Sequence, residues 1–420
     1  MNVHKFKLVY GEYSGLEKKA IDLVSRELSE YLNYVMPAKK ASDIADDELK
    51  NCNLIIIGLQ SNPILKKLAE KGLYKNAECK EGYSLKVTKS AFDDNAQMVI
   101  ISGYDEAGVL YGAVDFAAYY IPFAENTHDH GHYFRNIFDG EALPEYESIS
   151  SPSVSQRGIW SWGHVIYDYK KYIQNMVRLK MNTLIVWNDF LPLNIKEVIN
   201  EAHEHGIKIY LGFSWGWNEA RSQNGGLDIS DDTALRKISD IILAKYDHEY
   251  SKLDIDGIYF QSFTETNVET NHNIVIAERV VKMVNEIAEE LFVRKPDLSL
   301  MFGLHASSVA QKLEYIKKTD ERIMIVWEDC GAFPYAYSPY KIEGFKETCE
   351  LSEKIAVLRG ENDSFGIVSK GLVCLDWSTF EHQTGEFVMG QQSDAFIKKR
   401  TEEKSKLWNY VNAYWMKNAG

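Results

Sequence analysis

Cysteine is scarce. The chain has five in 420 residues, Cys52, Cys79, Cys330, Cys349 and Cys374, an odd number and never in CxxC spacing. That excludes a disulfide framework and a zinc site built from paired thiols, and leaves buried free thiols as the expectation. Long apolar runs are missing too. No stretch approaches the roughly eighteen residues of a membrane span, and the opening "MNVHKFKLVYGEY" carries no apolar signal core. A soluble, cytoplasmic chain with no membrane partner is expected. Basic residues are outnumbered, 47 Lys and Arg against 61 Asp and Glu, for a net charge of −14. Nucleic acid and anionic membranes attract the opposite balance, so neither is an expected partner. There is no GxGxxG, P-loop, HExxH or GxSxG. Nucleotide-binding and serine-hydrolase readings therefore fall, and no cofactor is expected. A homodimer remains compatible with the sequence.

What is present is ordinary globular material, 45% hydrophobic and 26% charged. Its length exceeds what one hydrophobic core supports, so two domains are expected. Over residues 1–122, β-rich runs ("KFKLVYG", "NLIIIG", "GYSLKVTK", "QMVIISG") alternate with helical patterns, "GLEKKAIDLVSRELSEYLNYVM" and "DEAGVLYGAVDFAAYYI". This reads as a small α/β accessory domain. Residues 123–155 read as an irregular linker rich in Pro, Ser and Glu.

From residue 156 to residue 420 the rhythm becomes strand, loop, helix, repeated. The strand candidates are "RGIWSW", "NTLIVWND", "IKIYLGFSW", "DGIYFQSF", "LSLMFGLH", "RIMIVWED" and "GLVCLDW". Near-continuous apolar strands suit a sheet covered on both faces, and the repeat predicts an α/β fold with a (β/α)8 TIM-like barrel. The eighth strand is not distinct, because "FGIVSKGLVCLDW" holds one long strand or two short ones. A doubly wound open sheet is the structural alternative. Asn194 with Glu197 predicts a capping box, Gly206 a helix stop, and Asp168 an N-cap.

In such a barrel, binding and catalytic groups sit at the carboxyl ends of the strands. Seven of the nine tryptophans fall near those ends: Trp160, Trp162, Trp187, Trp215, Trp217, Trp327 and Trp377. Each alone could be a packed β-former. Gathered at one rim, indoles offer flat apolar faces edged by N–H donors, which suits the C–H and O–H surface of a sugar, so a carbohydrate substrate is expected. His164, Asn188, Asp189 and His305 sit at strand ends as candidate partners for sugar hydroxyls.

Glycoside hydrolysis needs two carboxyl groups flanking one bond. Glu265 is the candidate general acid, since its aromatic approach (Tyr259, Phe260, Phe263) would raise a carboxyl pKa; a capping or ion-paired glutamate is the plainer alternative. Glu328, Asp329 and Asp376 are candidates for the second carboxylate. Glu328 and Asp329 are adjacent, so only one of them faces a pocket. His128, His130 and His132 in "HDHGH" have metal-like composition but lie in the expected linker, and no metal site is assigned.

The plan resembles glycoside hydrolases that place a small α/β domain before a catalytic barrel, the α-glucuronidases and β-N-acetylhexosaminidases. "EGYSLKV" (81–87) and "MVIISGYDEAGVLYGAVDF" (98–116) are similar to their N-terminal domain. "RGIWSWGHVIYDYKKYIQNMVRLKMNTLIVWND" and "HEHGIKIYLGFSW" are similar to the opening of the family 67 α-glucuronidase barrel. The resemblance implies Glu265 as the strand-four acid, Glu328 or Asp329 as the strand-six acid and Asp376 as the strand-seven acid. It also implies a cationic partner for a uronate, for which Arg221 and Lys370 are the candidates. The helical domain that α-glucuronidases add after the barrel has no counterpart in these 420 residues.

Two rival readings remain at this stage. A catalytically silent carbohydrate-binding protein would keep the tryptophans and let the acids become structural. A metal-dependent lyase or isomerase would need convergent ligands such as His164, His305 and Asp189.

Overall fold

The computed structural model describes residues 4–127, 143–162, 166, 168–187, 191–220, 226–263, 266, 268–328, 345–360 and 363–368, with 398 and 402. Its strands are β1 (Phe6–Tyr10), β2 (Ala38–Lys40), β3 (Asn53–Leu59), β4 (Tyr83–Lys89), β5 (Gln97–Gly103), β6 (Tyr146–Ser150), β7 (Gly158–Trp162), β8 (Thr183–Trp187), β9 (Lys208–Ser214), β10 (Gly257–Gln261), the short hairpin β11 (Thr270–Asn271) and β12 (Ile274–Val275), β13 (Ser299–His305), β14 (Ile323–Glu328) and β15 (Phe365–Val368). The chain divides into two compact units, Met1–Gly212 with Lys252–Asp256, and Phe213–Ser251 with Gly257–Gly420. The division falls inside β9.

The first unit opens with a six-stranded mixed sheet in the order β2-β1-β3-β5-β4-β6. Leu54 to Ile57 of β3 are all fully buried, as a central strand covered on both faces requires. β6 lies within the stretch read from sequence as linker and pairs antiparallel with β4 from Tyr83↔Ser150 to Val87↔Tyr146. Its weak period-2 pattern, "YESIS", is half-exposed and gave no strand signal. Helix Glu106–Asp115 starts at Asp105, whose carboxylate accepts from the Gly108 amide at 2.9 Å. A Cβ at Gly108 would collide with the Gly82 carbonyl, so the glycine permits close approach of helix to strand.

The "GY…GxxYG" residues have a docking role within this unit. Glu81 pairs with Arg157 at 2.8 Å and accepts from Asn182 Nδ2 at 2.9 Å. Tyr83 donates to Asp115, which also pairs with Lys180, and Lys180 Nζ donates to the Tyr83 hydroxyl at 3.0 Å. Burial next to Glu81 pushes the Tyr111 phenol up to about 12, against the pull of Arg157. The N-terminal sheet is thus joined to the start of β7 and β8 by charged, largely desolvated contacts.

The second sheet has seven strands in the order β15-β14-β13-β10-β9-β8-β7. The pairings β7·β8, β8·β9, β10·β13, β13·β14 and β14·β15 are all parallel. Among the described strands spatial order follows chain order without the reversal that a doubly wound sheet must have, as in the sheet of a TIM-like barrel. Six of the seven expected strand stretches coincide with β7, β8, β9, β10, β13 and β14. β15 comes from "FGIV", whereas "GLVCLDW" lies outside the described residues.

Two expected caps differ. Asn194 precedes helix Ile195–Glu204, but its side chain accepts from the Ile166 amide (3.2 Å) and donates to the Ile166 carbonyl (2.8 Å) instead of capping. Asp168 precedes helix Tyr169–Arg178 in a left-handed conformation with no side-chain cap. Gly206 ends its helix as expected, at φ +71°.

Candidate active site

Strand alternation decides which side chains share a face. In the second unit, Tyr259 and Gln261 of β10, Gly303 and His305 of β13, and Val326 and Glu328 of β14 share one face, with His305 and Glu328 paired in register. The opposite face carries Phe260, Phe302, Leu304 and Trp327, with Phe302 lining a cavity together with Val280 and Val281 of helix Ile276–Arg294. The Glu328 face is therefore the one turned away from the helices.

Glu328 is the centre of the arrangement. It ends β14 and is fully buried. Its Oε1 accepts from the Tyr259 hydroxyl and from Gln261 Nε2. The Tyr259 hydroxyl occupies the volume that a Cβ at position 303 would fill, so Gly303 makes room for the donor. Two donors on one oxygen hold the carboxylate in a defined orientation at a strand's carboxyl end. A buried carboxyl survives only with such partners.

β10 leaves the sheet through an unusual turn. Phe263 is buried with φ +53°, a conformation uncommon for a bulky residue, and it meets Trp217 edge to face at 5.5 Å. Ser262 Oγ donates to the Trp215 carbonyl at 2.8 Å, and the Trp215 amide donates to the Gln261 carbonyl at 2.9 Å. The ends of β9 and β10 are thus tied together just before the segment that contains Glu265.

The tryptophans separate into two groups. Trp215 and Trp327 are fully buried, and Trp215 stacks on Phe260 at 3.7 Å and 7° between planes. Trp327 shares the face of β14 that lies beside Phe302, so alternation assigns it to the layer between sheet and helices, and Trp215 packs into the same layer through its stacking on Phe260. Trp217 is half-buried. In the first unit Trp160 and Trp187, also half-buried, stack at 6.1 Å and 25°. Ser161 on the other face of β7 is hydrogen-bonded to Tyr172 of the following helix, which leaves Trp160 on the face away from that helix.

Several candidates lie outside the described residues: His164, Asn188, Asp189, Glu265, Asp329, Asp376 and Trp377, with Arg221, Lys370 and the histidines 128, 130 and 132. Trp162 is described only as the last residue of β7. Among the described residues no three His, Cys, Asp or Glu side chains gather as a metal site.

Three residues matter here that spacing did not single out as site residues. Gln261 was readable as the one polar side chain in an apolar strand. Glu219, in the short helix Trp217–Ala220, has a buried Oε2 without a hydrogen-bond partner among the described residues, as do Ser214 Oγ and Trp215 Nε1. Buried polar atoms are ordinarily hydrogen-bonded, so three within six residues single out the end of β9 among the described residues. Lys312 is the third, and its "AQKLEY" context looks like an exposed helix start.

No protein-family model matches the chain, and neither does any curated protein sequence. Solved structures do match. A GH138 enzyme targeting pectin rhamnogalacturonan II is 13% identical, over 89% of this chain and 47% of that one, with a TM-score of 0.40. A family 89 glycoside hydrolase from Clostridium perfringens in complex with PUGNAc is 10% identical, over 85% of this chain and 47% of that one, with a TM-score of 0.41. The citrate synthase SbnG is 13% identical, over 63% of this chain and 94% of that one, with a TM-score of 0.28. The chain spans about half the length of the two glycoside hydrolases.

Proposed function

We propose that this chain is a glycoside hydrolase that cleaves a glycosidic bond by carboxylate acid/base chemistry at the carboxyl ends of its barrel strands. The observation that carries this reading is Glu328, a buried carboxyl at a strand end, oriented by Tyr259 and Gln261. Glu265 is the proposed acid that protonates the leaving oxygen. Glu328 is the proposed second carboxylate, acting as nucleophile or as base toward water, with Asp329 and Asp376 as alternates. The half-buried indoles Trp160, Trp187 and Trp217 retain surface to offer a sugar ring, whereas Trp215 and Trp327 do not. The stretches similar to α-glucuronidases and β-N-acetylhexosaminidases name the substrates to try first, uronic-acid and 2-acetamido glycosides.

The test is release of aryl alcohol or reducing sugar from a panel of aryl glycosides and polysaccharides. Glu265→Gln should fold normally and lose at least about a hundredfold in turnover, the usual size of a general-acid contribution. Full turnover in that variant would remove Glu265 from the mechanism. The complete burial of Glu328 also fits a second reading, a carbohydrate-binding protein in which this carboxylate pins the barrel interior. Binding on a glycan array without release of any sugar would select that reading.

A further inference from the structure

Phe213 stacks on Tyr250 at 5.0 Å, just after helix Asp232–Lys245, and strand alternation leaves Ser214 on the opposite face of β9, away from that helix. Gly216, at φ +86°, then turns the chain into the short helix Trp217–Ala220, and a Cβ there would press on Ile238 and Phe263. The backbone of Glu219 is fixed, because its carbonyl accepts from the Leu227 amide at 3.0 Å. Its Oε2 and Ser214 Oγ are nonetheless buried with no hydrogen-bond partner among the described residues. An unpaired buried acceptor costs stability, and a charged one costs more. Sites that serve a ligand carry costs of this kind. Trp217 lies between the two in sequence, is half-buried, and meets Phe263 edge to face at 5.5 Å. Trp215 Nε1, also unpaired, belongs to the layer behind the sheet through its stacking on Phe260 and takes no part.

We propose that Ser214, Trp217 and Glu219 form a subsite for a sugar ring at the carboxyl end of β9, with the ring against Trp217, one hydroxyl donating to Glu219 Oε2 and another exchanging a hydrogen bond with Ser214 Oγ. The subsite rests on the carbohydrate reading of this barrel and is independent of which carboxyl acts as the acid. A carboxylate only accepts, whereas a serine hydroxyl donates or accepts, so the pair suits hydroxyl groups. An anionic group in place of the first hydroxyl would meet the Glu219 charge and be rejected. Both oxygens lie out of water, where a hydrogen bond to a charged acceptor is electrostatically stronger.

Stability and binding, measured on the same full-length variants, test the subsite. Ser214→Ala and Glu219→Met remove groups without a protein partner, so Tm should stay within about 1 °C of wild type or rise. A fall of more than about 4 °C in both would assign these side chains a structural role and overturn the subsite. On an aryl glycoside that the wild type cleaves, Glu219→Met and Trp217→Ala should raise KM at least about tenfold, by a larger factor than either lowers kcat, and Glu219→Gln should recover part of the loss. An unchanged KM in both variants would overturn the subsite and leave the glycosidase reading standing. A wild type that binds on a glycan array but releases no sugar would refute the glycosidase reading alone. Array binding then decides the subsite: a loss of at least about tenfold in Glu219→Met supports it, and full binding overturns it. A wild type that neither cleaves nor binds any glycan would refute both.

Discussion

Replacing Tyr259 by phenylalanine isolates the contact at the centre of the site. The tyrosine is fully buried and its hydroxyl donates to the carboxylate of Glu328, itself fully buried. A hydrogen bond to a charged group contributes about 1.5–3 kcal/mol, so Tyr259→Phe should cost about 2 kcal/mol. For a unit of roughly 200 residues, that lowers Tm by roughly 4–8 °C. The assay is thermal unfolding followed by tryptophan fluorescence, for which the buried Trp215 and Trp327 report on the same unit. A double-mutant cycle sharpens it. In a Glu328→Gln background the acceptor is neutral, the hydrogen bond contributes nearer 1 kcal/mol, and the two changes should couple by about 1 kcal/mol. A Tm within about 1 °C of wild type, or an identical cost in both backgrounds, would refute a charge-assisted bond between these side chains.

Trp327→Ala should cost about 3–5 kcal/mol, the range for removing a fully buried large side chain, whereas Trp217→Ala should cost much less; equal denaturation midpoints for the two variants would contradict the outer-layer position of Trp327. Glu17 gives a pH dependence. Glu17 is 2% exposed, and burial raises its pKa above 4.5 despite hydrogen bonds from the Glu12 and Gly11 amides. The folded state therefore takes up this proton at a higher pH than the unfolded chain does, and stability falls as pH rises through the window between the two values. Glu17→Gln should flatten that part of the stability profile; an unaltered profile from pH 4 to 7 would show that Glu17 does not titrate in this way.

Much of the architecture was legible in the chain because it depends on local pattern. Apolar runs of five to seven residues separated by amphipathic segments mark β7 to β10, β13 and β14, and the absence of any P-loop or GxGxxG turned the α/β reading away from nucleotides. β6 was not legible: "YESIS" has too few apolar residues to announce a strand, and it forms because the edge of β4 is there to pair with. Asn194 illustrates the same limit, since a capping-box pattern yielded to a tertiary partner, Ile166, that offers the side chain two hydrogen bonds.

The candidate site divides along the same line. The residue types at the strand ends, tryptophans and carboxylates, were fixed by primary structure and pointed toward sugar chemistry. Which face each occupies was decided by register. A shift of one residue along a strand exchanges the inner and outer faces, so Glu328 and Trp327, neighbours in sequence, part company, one held by Tyr259 and Gln261 and the other packed in the layer behind them. Lys312 shows the remainder: no local signal separates a lysine destined for water from one that will be buried against the Thr266 carbonyl, because that partner lies 46 residues away and meets it only when the chain has folded.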